Sequence, residues 1–155
     1  MLMETGYNSP FGPITLVSDG TSLTELKFGE PNERPTNQNL PVFEETRRWL
    51  DLYFRGENTG FTPKLNLQGT PFQQRVWQEL LKIPYGQTTT YGAIAQRIGC
   101  RSAQAVGQAI HRNPIAIIIP CHRVIGADGS LTGYASGLDI KRRLLQIEEI
   151  IIFAP

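Results

Sequence analysis

The stretch from residue 90 to residue 112 constrains the fold most, because it holds two short helix patterns joined by a tight turn. Thr90 and Ser102 can each cap a helix by accepting a backbone hydrogen bond, and they predict helices over 91–98 and 103–112. The turn between them contains Gly99. This spacing is typical of a helix-turn-helix, although any pair of packed helices could show it. The second helix is almost bare of large side chains and could approach another backbone or a narrow groove closely.

The rest of the C-terminal half alternates helices with buried segments. Thr70 and Gln73 form a capping-box pattern around Pro71, which predicts a helix that ends before Pro84. The continuous apolar run 115–119 predicts a strand buried on both faces, and residues 124–131 predict a short hairpin. A last helix is expected after a cap at residues 136–139. It would turn Ile140, Leu144 and Ile147 inward and Lys141, Arg142 and Arg143 outward, and the apolar tail 150–153 would pack back on the body.

The N-terminal half predicts a small α/β unit. We expect a strand over 7–17 broken by Pro10 and Pro13, a hairpin turn at Asp19-Gly20, a strand over 23–28, and a further short strand near residue 65. Apolar residues at helical spacing predict a helix over 41–55 that ends at Gly56. The boundary lies at residues 69–71, so the predicted domains are 1–68 and 69–155.

Length and charge limit the classes of protein that this chain can be. With 155 residues and 40% hydrophobic residues, it can form one compact domain or two small ones, and it is not disordered. No apolar run approaches the ~18 residues of a membrane span, so we expect a soluble, cytoplasmic protein. Residues 69–155 carry nine Lys and Arg against five Asp and Glu, whereas residues 1–68 carry six against nine. A polyanion would therefore meet the C-terminal half.

The run Pro120-Cys121-His122-Arg123 is the strongest candidate for chemistry. A thiol is nucleophilic only as the thiolate, which an adjacent imidazole can generate and an adjacent guanidinium can favour. Glu148 shares a helix face with Leu144 and Leu145, so it could point inward and orient His122, or it could be an exposed acid at a helix end.

Cys100 fits the description of a small buried hydrophobe, and the sequence has no zinc spacing. Because there are only two cysteines, a disulfide framework is not expected either.

The run over residues 118–125, with Asn113-Pro114 before it and Gly133-Tyr134 after it, resembles the O6-alkylguanine-DNA alkyltransferases. The similarity extends through residues 90–91, 105–107 and 144–148, and covers about residues 70–149. The first 68 residues resemble the family only in size and in strand–helix order. The resemblance implies an α+β fold, in which a small N-terminal ribonuclease-H-like α/β domain precedes a mainly helical, helix-turn-helix (winged-helix-like) domain.

The resemblance further implies a single-use repair protein that reverses DNA damage directly. The alkylated guanine would flip out of the duplex through the minor groove, and Cys121 would take the alkyl group irreversibly. His122 would act as base through a bound water, Glu148 would orient His122, and Asn113 would tie the nucleophile segment to the recognition helix. The implied partner is duplex DNA containing O6-alkylguanine, with O4-alkylthymine left open. We expect a monomer without cofactor, metal or membrane contact.

The remaining implied roles concern the substrate and the DNA. Tyr91 would donate toward the N3 edge of guanine, the loop Tyr134, Ala135 and Ser136 would form the pocket near O6, and the carbonyls of Cys121 and Val124 would accept from the exocyclic amine. The residues expected to contact DNA are Arg101, Ser102, Ala103, Gln104, Gly107, Arg112 and Arg123. One departure is Gln104, since the family usually has an arginine there to fill the gap left by the flipped base.

Two other functions fit the same residues. A cysteine hydrolase could use Cys121, His122 and Glu148, although neighbouring side chains on a strand point apart. A non-catalytic DNA-binding module is the second alternative, and related binders that lack transfer activity replace the cysteine that this chain keeps.

Overall fold

The computed structural model describes residues 1–31 and 34–150. The chain divides into two compact units. The first contains Met1–Gln68 together with Pro114–Ala116, and the second contains Gly69–Asn113 and the chain from Ile117 onward. Over the described residues, no helix combines the length and the apolar character that crossing a membrane requires.

A three-stranded antiparallel sheet forms the base of the first unit. Its strands are β1 (Met3–Ser9), β2 (Gly12–Ser18) and β3 (Leu23–Phe28), in that order. Helix α1 (Pro41–Phe54) packs against β1 and β2 and buries Phe43, Trp49 and Leu50. The predicted helix and third strand are confirmed. The single broken strand over 7–17 is wrong, because Pro10 and Phe11 form the turn between two strands that pair from Met3↔Ser18 to Ser9↔Gly12. The strand expected near residue 65 is only a bridge from Leu65 to Leu23.

The second unit is mainly helical. Its elements are α2 (Pro71–Leu81), β4 (Thr89–Thr90), α3 (Tyr91–Arg97), α4 (Ala103–His111), a one-turn 3-10 helix (Cys121–Arg123), β5 (Val124–Ile125) and α5 (Leu138–Ile147). The capping box at Thr70 is confirmed, since its hydroxyl accepts from the Gln73 backbone and the Gln73 side chain accepts from Thr70 N–H. Trp77 in α2 donates to the Ala109 carbonyl in α4 at 2.9 Å, which fixes α2 against α4.

Helices α3 and α4 form the predicted helix-turn-helix. The Thr90 hydroxyl accepts from Ala93 N–H and the Ser102 hydroxyl accepts from Ala105 N–H, so both predicted caps are confirmed. Gly99 lies between the helices with φ +69°, a left-handed conformation that glycine adopts without the steric cost of a side chain. The turn is therefore set locally by its sequence, and it fixes how α4 leaves α3.

The strand expected over 115–119 is wrong. Ile115 makes one bridge to Leu26, and the chain then turns through Ile117, which has φ 71°. Ile115, Ile117 and Ile119 are nevertheless all fully buried. The continuous apolar run therefore reflects burial of an irregular segment on all sides and not a strand.

Three further expectations in the C-terminal half need correction. Residues 124–125 pair in parallel with β4 and not with Leu131 in a hairpin, while Gly126 and Ser130 close a turn at 2.9 Å. Helix α5 begins after Gly137 without a side-chain cap. Its Lys141, expected to face outward, is fully buried. The expectation for the apolar tail concerns mainly residues 151–153, which lie outside the described residues.

Candidate active site in the second unit

Cys121 begins the 3-10 turn that follows Pro120. Its amide donates to the Ile119 carbonyl at 2.7 Å, and Arg123 N–H donates to the Pro120 carbonyl at 3.0 Å. The residue is only 8% exposed. Because Cys121 and His122 lie on a helical turn and not on a strand, their side chains are not forced to opposite faces. The expectation that neighbouring side chains on a strand point apart therefore does not apply to Cys121 and His122, and the two side chains can act together.

Asn113 connects the end of α4 to this nucleophile segment. Its Nδ2 donates to the Ile119 carbonyl at 2.8 Å, and its side chain also hydrogen-bonds Cys121. Burial raises the pKa of the Cys121 thiol, while Asn113, the Lys141 charge and the Tyr134 hydroxyl each lower it, and the net result is a raised pKa. The resting cysteine is therefore a thiol, with groups already in place that favour the thiolate.

Glu148 is the centre of a buried charge network. Its Oε2 lies 2.6 Å from His122 Nε2, and its Oε1 accepts from Arg123 Nε at 2.8 Å and from Gly86 N–H at 3.0 Å. Burial alone would raise the pKa of this carboxyl, but His122 and Arg123 outweigh burial and lower it from 4.5 to about 2. Glu148 is therefore ionised at neutral pH although it is only 4% exposed.

His122 is neutral in this environment. Burial lowers its pKa, Glu148 opposes that effect, and the charges of Arg123 and Lys141 add to the lowering. Because ionised Glu148 can only accept, Nε2 of His122 carries the ring proton. The lone pair that can take a proton from a thiol is consequently on Nδ1.

Lys141 is a buried cation, although the sequence pattern predicts a side chain on the surface. Its Nζ donates to the carbonyls of Val124 and Thr132 at 2.6 Å each and to the Gly133 carbonyl at 3.4 Å. Burial lowers its pKa to about 8, and a thiolate on the nearby Cys121 would oppose that shift. The ammonium thus bridges the residue after the Cys121 turn and the loop that carries Tyr134.

The residues expected around the substrate lie in the same unit. Tyr91 begins α3 and accepts a hydrogen bond from the Thr132 hydroxyl at 3.1 Å. Tyr134 is half-buried with its hydroxyl against Cys121, Ser136 is half-buried, and Ala135 is exposed. The Val124 carbonyl already accepts from Lys141, and its second lone pair can accept one further bond.

The residues expected to contact DNA separate into two groups. Arg101, Ser102, Ala103, Gln104 and Arg112 are exposed at the two ends of α4, and Gly107 is half-exposed between them. Arg123 lies elsewhere, because it is 7% exposed and donates to Glu148 and, at 2.7 Å, to the Ile83 carbonyl. Its guanidinium serves the charge network and is not presented to an external phosphate.

Three contributions to the site are absent from the sequence analysis: the Lys141 ammonium, the Gly86 N–H and the Thr132 hydroxyl. Only Lys141 carried a detectable signal, since it precedes Leu144, Leu145 and Glu148 by three, four and seven residues and so shares their buried stripe. Among the described residues, no three His, Cys, Asp or Glu side chains lie close enough together to hold a metal ion.

Comparison with known proteins matches both halves of the chain. The family model described as "6-O-methylguanine DNA methyltransferase, DNA binding domain" matches residues 71–150, and the one described as "6-O-methylguanine DNA methyltransferase, ribonuclease-like domain" matches residues 2–67. A methylated-DNA–protein-cysteine methyltransferase from Methanosarcina acetivorans is 51% identical over 92% of this chain and 95% of its own length. One from Haemophilus influenzae is 46% identical over 96% of this chain and 87% of its own length.

Solved structures show the same similarity. The Mycobacterium tuberculosis O6-methylguanine methyltransferase is 47% identical, with a TM-score of 0.87 over 96% of this chain and 93% of that chain. A crystal structure of Mycobacterium tuberculosis OGT in complex with DNA is 48% identical, with a TM-score of 0.87 over 95% of this chain and 92% of that chain.

Proposed function

Since this chain belongs to the methylated-DNA–protein-cysteine methyltransferase family, which repairs DNA by direct reversal, we propose that Cys121 is the residue that accepts the alkyl group from O6-alkylguanine. The observation that carries the proposal is the position of this thiol. It is buried beside Asn113, Tyr134 and Lys141, and the next residue is a neutral histidine bonded to an ionised glutamate.

The first step is formation of the thiolate. Burial keeps Cys121 protonated at rest, so the proton must be taken by a base during the reaction. His122 supplies that base at Nδ1, either directly or through a bound water. The imidazolium that forms is stabilised by Glu148, which lies 2.6 Å from its other nitrogen. Asn113, Lys141 and Tyr134 stabilise the anion on sulfur.

The second step is displacement at carbon. The sulfur of Cys121 forms a bond to the alkyl carbon as the bond from that carbon to O6 breaks, and the electron pair remains on the guanine. Tyr91 supports the departing base by donating toward its N3 edge. Overall the thiol loses one proton and the guanine gains one, so the products are an alkylated cysteine and an unmodified guanine. Nothing regenerates the thiol, and each protein molecule therefore acts once.

Extrusion of the guanine from the helix is part of the proposal. Cys121 is only 8% exposed and cannot reach O6 on a stacked and paired base, so the nucleotide must leave the stack. Helix α4 suits a narrow minor groove, because its exposed residues near the N-terminus include Ser102 and Ala103. Arg101 and Arg112 would contact phosphates, and binding should weaken as salt increases.

The substrate that we propose is duplex DNA that contains O6-alkylguanine. The proposal does not depend on whether O4-alkylthymine in DNA is accepted as well. The protein works in the cytoplasm, and the support for this is chemical: the acceptor has to remain a reduced thiol until it meets a lesion, as thiols do in a reducing compartment.

A labelled duplex tests the proposal. Wild-type protein is incubated with excess duplex whose O6-methylguanine carries a radioactive methyl group, and the label on protein is counted. We expect one methyl per protein molecule, none on Cys121→Ala, and a full transfer on Cys100→Ala, the matched control for the second thiol. A hydrolase would instead release the label and leave the protein unlabelled, which would contradict the proposal.

A further inference from the structure

The side chain of Thr132 makes a contact that no expected role uses. Its hydroxyl donates to the phenol oxygen of Tyr91 at 3.1 Å. The two residues are 41 positions apart in the chain. Thr132 lies in the loop before α5, whereas Tyr91 is the first residue of α3. The hydrogen bond therefore depends on the tertiary structure of the site and not on a local turn.

The main chain of Thr132 is itself held in place. The buried Lys141 ammonium donates to the Thr132 carbonyl at 2.6 Å and to the Val124 carbonyl at 2.6 Å. A charged donor makes a stronger hydrogen bond than a neutral one. Thr132 is consequently fixed at its backbone by the same cation that holds the residue after the Cys121 turn, so the position from which its hydroxyl reaches Tyr91 is set.

The direction of this hydrogen bond decides what Tyr91 can do. A phenol has one proton, and when its oxygen accepts from Thr132 its own O–H is directed to another acceptor. Accepting a hydrogen bond also polarises that O–H and makes it a better donor. When the Thr132 hydroxyl is the donor of this hydrogen bond, the Tyr91 proton remains available for the guanine.

We propose that Thr132 is a positioning residue for the transfer reaction, which holds the Tyr91 phenol so that its proton points to the guanine. The inference rests on the proposed function, since it takes the base as the acceptor of the Tyr91 proton. Thr132 acts through Tyr91. Its contribution is to remove the need for the phenol to reorient when the lesion enters.

The experiment compares single-turnover rates of methyl transfer from an O6-methylguanine duplex at saturating protein concentration. Thr132→Val keeps the shape and removes the donor, and we expect the rate to fall about fivefold, the effect of one neutral hydrogen bond. Thr132→Ser keeps the hydroxyl and should recover most of the rate. In a Tyr91→Phe background, Thr132→Val should have no additional effect. Ser130→Ala is the matched control, because its hydroxyl lies in the same loop and donates to Asp128 at 2.6 Å.

Two further measurements separate positioning from general damage. Affinity for the duplex and the reactivity of Cys121 toward an aromatic disulfide without DNA should both be unchanged in Thr132→Val. Thr132→Ala carries the test if the valine variant does not fold. A wild-type rate in the hydroxyl-free variant, an equal loss in the Tyr91→Phe background, or a parallel loss of disulfide reactivity would overturn the inference alone. A wild-type protein that takes up no methyl group would overturn the proposed function with it.

Discussion

Replacing Glu148 with glutamine tests whether the buried carboxylate stabilises the second unit through its charge. Glutamine has nearly the same shape but cannot be ionised. The guanidinium of Arg123, which is 7% exposed, would then lose its anionic partner. Removing one member of a buried ion pair leaves an uncompensated charge, so we expect Glu148→Gln to destabilise the protein at neutral pH.

The size of this effect follows from the pKa of Glu148. The pKa is about 2 in the folded protein against 4.5 for the ordinary side chain, and the difference sets an upper value of about 3 kcal/mol for the stability contributed at pH 7, because part of the lowering requires a charged His122. The pKa of this acid is lowered by folding, so the stabilisation is complete above pH 4.5 and is lost as pH falls toward 2. At pH 3.5 about 2 kcal/mol should remain.

Urea unfolding of wild type and variant at pH 7 and at pH 3.5 measures both values. Glu149→Gln is the matched control, because Glu149 is the next residue and is exposed, and its substitution should change the free energy of unfolding by less than about 0.5 kcal/mol. If the difference between wild type and Glu148→Gln were the same at both pH values, the stabilisation would not come from the charge of Glu148, and the assignment would be refuted.

Three other substitutions give separate tests. Lys141→Met should lower the free energy of unfolding, measured in urea, by about 2 kcal/mol, because buried carbonyls lose their donor. Arg142→Met is the control and should have little effect, since Arg142 is exposed. Equal effects of the two substitutions would contradict a stabilising role for the buried ammonium. Glu149→Gly should raise the free energy of unfolding, measured by thermal unfolding, by about 0.5–1 kcal/mol. Glu149 follows α5 with φ 61°, a left-handed conformation that glycine adopts without steric cost, so Glu149→Ala should show no such gain. Gln104→Arg should raise the transfer rate from duplex DNA about fivefold, through about 1 kcal/mol of added DNA contact; an unchanged rate would mean that Gln104 is not limiting.

The helices of this protein could be predicted because their signals are local. Thr70, Thr90 and Ser102 cap helices with side chains that reach only three residues ahead, and the apolar spacing of α1 is set within one element. The two-residue strands β4 and β5 could not be predicted, because their pairing joins residues 35 positions apart and leaves no pattern in either segment.

The errors have two physical sources: an apolar run indicates burial without fixing the backbone conformation, and the burial of a polar side chain depends on partners that only the tertiary structure supplies. The run 115–119 is buried as expected, but Ile117 turns left-handed in the middle of it. Lysine side chains are usually exposed, so the sequence predicts that Lys141 faces outward. Its burial is stabilised by the three carbonyls that accept from its ammonium. The helix face of Glu148 allows an inward carboxylate to be predicted. Its second partner, Arg123, could not be predicted, because only the tertiary structure brings the two side chains together.

The most direct test of the central claim is the intact mass of the protein before and after exposure to a duplex containing O6-methylguanine, followed by peptide mapping. The account predicts that the mass increases by a single methyl group in place of a hydrogen, and that this group maps to the peptide containing Cys121. An unchanged mass, or a methyl group on Cys100 or any other residue, would contradict it.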